Sequence, residues 1–234
     1  MKIAGLQKVT LIDYPEKIAC TIFLYGCNFR CGFCHNPELV IEPVKEIINE
    51  KEVLSYLEKK KKYLDGVCIT GGEPLLSLDI EFLKKIKELG FKIKIDTNGS
   101  FPDKLREIIQ AELVDYIAMD IKSSKNKYNW VVGPGFDLEK IEESIKLIAE
   151  SGVDYEFRTT IVEGIHDVVE AKEIAVWLNE LIGKKPRKFV LQGFRNQGKF
   201  IDVKYKLVQN IEEDFLLGLK DFIEEYFEKV EIRV

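Results

Sequence analysis

Histidine and methionine are scarce in this 234-residue chain, with 2 of each, and neither sign of charge dominates: 35 basic residues face 40 acidic ones, a net charge of −5. That balance excludes a general nucleic-acid binder. Short basic runs such as Lys59 to Lys62 read as the solvated face of a helix. No apolar stretch approaches the roughly 18–20 residues that a membrane span needs. The N-terminus soon meets Lys8, Asp13 and Glu16, unlike a signal peptide, so the expected location is cytoplasmic, where thiols stay reduced. Linkers, low-complexity tracts and exact repeats are also missing, as is any convincing acid/base pair. Apolar residues nevertheless make up 46%, ample for a core, and the length suits one domain over 1–234. The charged fraction of 32%, weighted to Lys and Glu, hints at a hot environment.

Against that background, Tyr25 to Pro37, reading YGCNFRCGFCHNP, is conspicuous. It places Cys27, Cys31 and Cys34 in a Cys-x3-Cys-x2-Cys loop directly after the apolar run Ile18 to Leu24. Thiolates suit soft metals and iron–sulfur clusters. Three protein ligands leave one position of a tetrahedral metal open, which is a catalytic rather than a structural habit. A structural zinc with a distant fourth ligand such as His35, a disulfide, or inert thiols are the competing readings. No second Cys-x2-Cys half lies downstream, and the other histidine is His166. Cys20 and Cys68 fall inside apolar runs that read as strands.

The loop resembles the signature of the radical S-adenosylmethionine (SAM) enzymes, Cys-x3-Cys-x-aromatic-Cys, with Phe33 as the aromatic. The resemblance extends to Gly5–Pro15 and to His35–Leu39, which are similar to the glycyl-radical-enzyme activating enzymes, in particular activators of anaerobic ribonucleoside-triphosphate reductase. It implies a [4Fe–4S] cluster on Cys27, Cys31 and Cys34, with the remaining iron left for SAM.

Along the chain a pattern recurs: a short β-rich run, a loop, an amphipathic helix. Strands are expected at 18–25, 66–70, 91–95, 116–119, 154–162 and 188–192, with a terminal one at 230–234. Helices are expected at about 50–61, 79–89, 102–111, 138–150, 168–181 and 212–227. Asn49 and Asp137 stand where caps belong, and Gly90 where a helix should stop. Such alternation means an α/β fold with a parallel sheet, either an open doubly wound sheet or a curved partial barrel. The resemblance implies the latter, a partial (β/α)6 barrel, with an N-terminal extension at 1–16, the cluster loop at 26–37 and a C-terminal helix and strand at 212–234.

Chemistry in parallel β/α folds collects at the C-terminal strand ends. Gly71-Gly72-Glu73-Pro74 follows the second strand; glycines there allow close approach to a ligand, or simply a tight turn. Asp96-Thr97-Asn98-Gly99 follows the third, and Asn-Gly is itself a common turn. Asp120-Ile121-Lys122-Ser123 follows the fourth, with Asp120 and Lys122 on one side of an extended segment, where a rim ion pair is the alternative. On the fifth strand Arg158 shares a face with Thr160, opposite Phe157 and Thr159, and needs an anion: a SAM carboxylate, Glu73 or Asp120.

The resemblance implies SAM contacts for Phe33, Cys34, His35, Gly71, Gly72, Glu73 (at the amino end), Asp96, Asn98, Ile121, Lys122 (at the carboxylate), Ser123 and Arg158. It also implies a monovalent cation beside Asp96 and Asp120. Where related activating enzymes reach the adenine with a histidine, this chain has Phe194-Arg195; either could stack on the base, Arg195 through its planar guanidinium. His166 reads as structural or peripheral.

The function implied is that of an oxidoreductase that cleaves SAM reductively to a 5′-deoxyadenosyl radical and removes a hydrogen atom from a glycine of a partner glycyl radical enzyme. Anaerobic ribonucleotide reductase is the expected partner, with flavodoxin or ferredoxin as electron donor. No auxiliary Cys-rich module and no large substrate domain accompany the core. The alternatives are a small-molecule radical SAM enzyme of the 7-deazapurine type and a non-catalytic iron–sulfur carrier.

Overall fold

A computed structural model describes residues 1–43 and 46–234. The chain divides into two compact units. The first comprises Met1–Asn28, Asn36–Thr97 and Asp103–Ile117; the second comprises Phe29–His35, Asn98–Pro102 and Ala118–Val234.

In the first unit β1 (Ile3–Thr10) pairs antiparallel with β2 (Ala19–Leu24). The helix α1 (Glu50–Lys60) then leads to β3 (Gly66–Gly71), and α2 (Ile80–Glu88) to β4 (Lys92–Thr97). β2, β3 and β4 pair in parallel, Thr21 opposite Cys68 and Cys68 opposite Lys94. Asn49 caps α1 by accepting from the Lys51 N–H, and Asp79 caps α2 by accepting from the Glu81 N–H. Cys20 and Cys68 are fully buried in β2 and β3, as their apolar surroundings indicate.

After α3 (Pro102–Gln110) and β5 (Tyr116–Asp120), the second unit runs through the short helix α4 (Tyr128–Val132) and α5 (Leu138–Glu150). β6 (Asp154–Ile161), α6 (Val168–Ile182), β7 (Phe189–Gly193), α7 (Glu213–Ile223) and β8 (Val230–Arg233) complete it. β6, β7 and β8 are parallel neighbours. Near the start of β6 the fully buried Glu156 carboxylate takes a bidentate pair of 2.7 Å bonds from Arg233, the last residue of β8.

Strand order follows chain order within each unit, without the reversal that marks a doubly wound sheet. The α/β class and the parallel pairing are those expected. The stretch 1–16 is more than an extension, because it supplies β1. Two register shifts, between Ile3 and Gly5 and between Gln7 and Thr10, interrupt its pairing and spoil the period-2 alternation that would announce a strand.

Candidate active site

β2 ends at Leu24, and the chain turns at Gly26, φ 101°, into the cysteine loop. In the first unit the Gly26 carbonyl accepts from the Glu73 N–H at 2.7 Å, and the Leu24 carbonyl from the Gly72 N–H at 2.9 Å. The two glycines after β3 are therefore packed against the start of that loop. A Cβ on Gly71, whose φ is 129°, would lie 2.2 Å from the Leu24 carbonyl oxygen. One on Gly72 would lie 2.1 Å from the Gly26 oxygen and 3.2 Å from the Cys27 Cβ. Neither position has room for a side chain. Glu73, 1% exposed, accepts through Oε1 from the Leu75 N–H at 3.0 Å and the Thr97 hydroxyl at 2.8 Å. Asp96, at the end of β4, is ion-paired with the buried Lys94.

In the second unit Cys31 is buried and Cys34 half-buried, the Cys34 N–H donating to the Cys31 carbonyl at 3.1 Å. Burial pushes the Cys31 thiol up to about 11, with Lys122 opposing and the charges of Cys34 and Asp120 adding to the rise. A metal overrides such a shift, because coordination removes the proton outright. Between these cysteines Gly32 lies against Tyr205, whose ring would be 2.6 Å from a Cβ there. Phe33 packs edge-on to the same ring at 5.8 Å, and the exposed His35 sits 5.5 Å from both Phe194 and Phe200. Phe194 is fully buried in that aromatic group, whereas Arg195 beside it is half-buried. Asn98, buried, closes a turn by accepting from the Ser100 N–H at 3.0 Å.

The segment after β5 is built differently. Of the three anions open to Arg158, the structure supplies Asp120: Arg158 Nε bonds one of its oxygens, and Lys122 Nζ lies 2.9 Å from the other. Burial alone would raise the Asp120 pKa, but the two cations override it and hold the carboxyl below the usual range. Burial would likewise lower Lys122, yet Asp120 keeps it raised.

The backbone of the same segment is gripped throughout. Ile121 donates to the Arg158 carbonyl at 2.8 Å and accepts from the Thr159 hydroxyl at 2.8 Å. The Lys122 N–H points to the Tyr128 hydroxyl at 3.5 Å. The Ser123 hydroxyl and Ser124 N–H both donate to Glu170 Oε1, at 2.5 and 2.6 Å, and Lys127 is paired with Glu170 Oε2 at 2.9 Å. His166, 2% exposed, accepts at Nδ1 from the Val162 N–H at 3.1 Å. That fixes the proton on Nε2, which donates to the Lys122 carbonyl at 3.0 Å.

Lys94, Tyr128, Thr159, His166 and Glu170 were thus not among the expected site residues. His166 is structural, and what it holds is the segment bearing Lys122. For Glu170 a signal exists in retrospect: it stands in the first turn of α6 beside the buried Ala171 and Ile174.

The donor set fits an iron–sulfur cluster. Cys27, Cys31 and Cys34 form no disulfide, and two of them are only half-buried. Among the described residues no three His, Cys, Asp or Glu side chains converge on a single metal ion. A cluster takes one cysteine per iron and needs no such convergence. Among the described residues no helix is long and apolar enough to cross a membrane.

Residues 21–176 match the radical SAM superfamily. A protein of Methanocaldococcus jannaschii described as a glycyl-radical enzyme activating enzyme is 33% identical over 99% of this chain and 95% of its own length. The pyruvate formate-lyase-activating enzyme of Clostridium pasteurianum is 31% identical over 72% of each chain. SuiB of Streptococcus suis, solved with SAM bound, shares the fold at a TM-score of 0.67 and 17% identity, over 91% of this chain and 51% of SuiB, so that the chain spans about half of SuiB. The chain belongs to the radical SAM superfamily, and within it to the family of glycyl-radical-enzyme activating enzymes.

Proposed function

We propose that this protein generates the glycyl radical of a partner enzyme by SAM-dependent hydrogen abstraction, and that the partner is an anaerobic ribonucleotide reductase. The observation that carries the first part is the end-to-end match to the M. jannaschii relative, 99% of one chain and 95% of the other. A protein loop bearing a glycine is a substrate that brings its own walls, in keeping with the activating enzymes this chain resembles. The second part rests on the likeness of Gly5–Pro15 and His35–Leu39 to that subgroup.

Cys27, Cys31 and Cys34 would hold the [4Fe–4S] cluster. Phe33, Cys34 and His35 would line the cluster side of the SAM site, and Gly71, Gly72 and Glu73 its amino end. Asp96, Asn98, Ile121, Lys122, Ser123 and Arg158 would hold the ribose and carboxylate, and Arg195 the adenine. When bound, the cluster and SAM supply one-electron cleavage of a carbon–sulfur bond. The chain's own contribution is placement and exclusion of water. Lys122, charged and fixed by Asp120, offers an ammonium to a carboxylate at no cost in reorganisation. A cytoplasmic location suits cysteines that form no disulfide, and flavodoxin or ferredoxin suits the electron supply.

The test is electron paramagnetic resonance of the reduced, reconstituted protein mixed anaerobically with SAM and the reductase. A glycyl doublet is expected. SAM cleavage without that doublet would sink the partner, and iron binding without SAM cleavage would sink the activity. Iron analysis checks the ligands: Cys34→Ala should lose the cluster and Cys68→Ala should keep it.

A further inference from the structure

A monovalent cation beside Asp96 and Asp120 does not fit the residues present, since both carboxylates already carry fixed cations. β4 reads Lys92-Ile-Lys-Ile-Asp-Thr97, and period-2 alternation puts Lys94 and Asp96 on one face. The Lys94 side chain is 2% exposed and bonds Asp96 Oδ1. Cys68 on the neighbouring strand completes a triangle, its sulfur 3.8 Å from Lys94 Nζ and 3.8 Å from Asp96 Oδ1. In the second unit Asp120 has Lys122 on one oxygen and Arg158 on the other.

A buried ammonium on a strand is costly unless its partner is close and well aligned. Lys94 therefore belongs with Asp96, and a metal cation placed on the same carboxylate would meet a like charge in a poorly screened interior. One residue on, Thr97 gives its hydroxyl to Glu73. The end of β4 thus fixes Asp96 and, through Thr97, the Glu73 carboxylate.

We propose that Lys94 is a tethered counter-ion: its ammonium supplies at Asp96 the positive charge that a bound sodium or potassium ion would otherwise supply, and the protein works without a monovalent metal cation. Lys94 is a positioning residue for Asp96. Only its consequence for SAM rests on the proposed function.

The test is thermal unfolding of the cluster-reconstituted full chain in sodium, potassium or choline chloride at one ionic strength. A ligand that binds the native state raises Tm progressively with its concentration, and choline is too large to bind a carboxylate pocket as a metal would. The native protein should give one Tm in all three salts, and SAM affinity by equilibrium dialysis should agree within about twofold. Lys94→Met should lower Tm in choline and regain much of the loss in sodium or potassium, the more so as the metal ion replaces choline. Lys94→Met with Asp96→Asn should show no salt-specific recovery, and Lys94→Arg should behave as the native protein.

A rise of the native Tm in sodium or potassium over choline, growing as either metal ion replaces choline, would overturn the proposal, even if Lys94→Met does not fold. So would a Lys94→Met protein that sodium, potassium and choline leave equally stable. A salt-indifferent native protein that forms no glycyl radical would count against the proposed function while supporting the tethered counter-ion.

Discussion

After β3 the chain is positioned by what it lacks. Gly71 and Gly72 carry no Cβ, and the N–H groups of Gly72 and Glu73 reach the Leu24 and Gly26 carbonyls directly. After β5 the chain is positioned by what surrounds it, because Thr159, Tyr128, His166 and Glu170 each reach one of its backbone groups or Ser123. Both loops leave the C-terminal end of a strand and both bear residues proposed to hold SAM. The difference follows from their neighbours. The first loop lies against another backbone, the start of the cysteine loop, where only hydrogen atoms fit. The second ends in buried Ser123 and Ser124, whose polar groups need partners away from water. Removing atoms gives close approach with little tolerance; adding hydrogen bonds gives a hold that is divided among several residues and can be weakened piecemeal.

That contrast predicts its largest effect at Gly72. Gly72→Ala should cost roughly 3 kcal/mol or more, since the new methyl meets main chain that cannot swing away. It should also lower iron per chain after reconstitution, because Cys27 lies on the same contact. Normal stability and iron content would mean that the cysteine loop moves freely off β3. Next comes Glu170→Ala, which strips the Ser123 hydroxyl and the Ser124 N–H of a buried acceptor and Lys127 of its partner. About 3 kcal/mol should be lost in denaturant unfolding, with weaker SAM binding by equilibrium dialysis. Glu170→Gln, which keeps an acceptor oxygen, should recover part of both.

His166 adds a pH dependence confined to the second loop. Burial pushes its pKa down to about 4, so the native ring stays neutral while the unfolded one takes up a proton near its ordinary 6.5. The sign follows: its contribution is complete above pH 6.5 and fades as pH falls toward 4, by about 3 kcal/mol over that window. His166→Gln should flatten the fall in stability between those limits. An unchanged acid limb would place the proton elsewhere.

The first loop was legible in the sequence and the second only in part. Cysteine spacing and a Gly-Gly pair announce themselves because few other residues can replace them. Asp120 and Lys122 were equally plain, but apart from Tyr128 their supports come from β6, α6 and the turn before it, far along the chain, and no local pattern links them. β4 misleads in a second way. Its Lys-Ile-Lys-Ile alternation reads as a strand with one wet face, yet Lys94 is 2% exposed. A strand tells which residues share a face, not which face is inside. β1 was hidden by its own bulges, which break the alternation a strand is recognised by.

The finest test of the contrast is Thr159→Val, a change of one hydroxyl for one methyl. Thr159 is 1% exposed on β6 and donates to the Ile121 carbonyl at 2.8 Å. Valine keeps the branched shape and the strand propensity, so packing hardly changes. About 1 kcal/mol should be lost, the usual net worth of one buried bond plus the strain of an unmatched carbonyl. Because Ile121 still donates to the Arg158 carbonyl, and Lys122 to Ser124 keep their own holds, SAM binding should weaken only slightly, by less than with Glu170→Ala. If Thr159→Val instead matched Gly72→Ala in cost, the hold after β5 would be as brittle as the glycine contact after β3. A divided grip requires that each bond be individually dispensable.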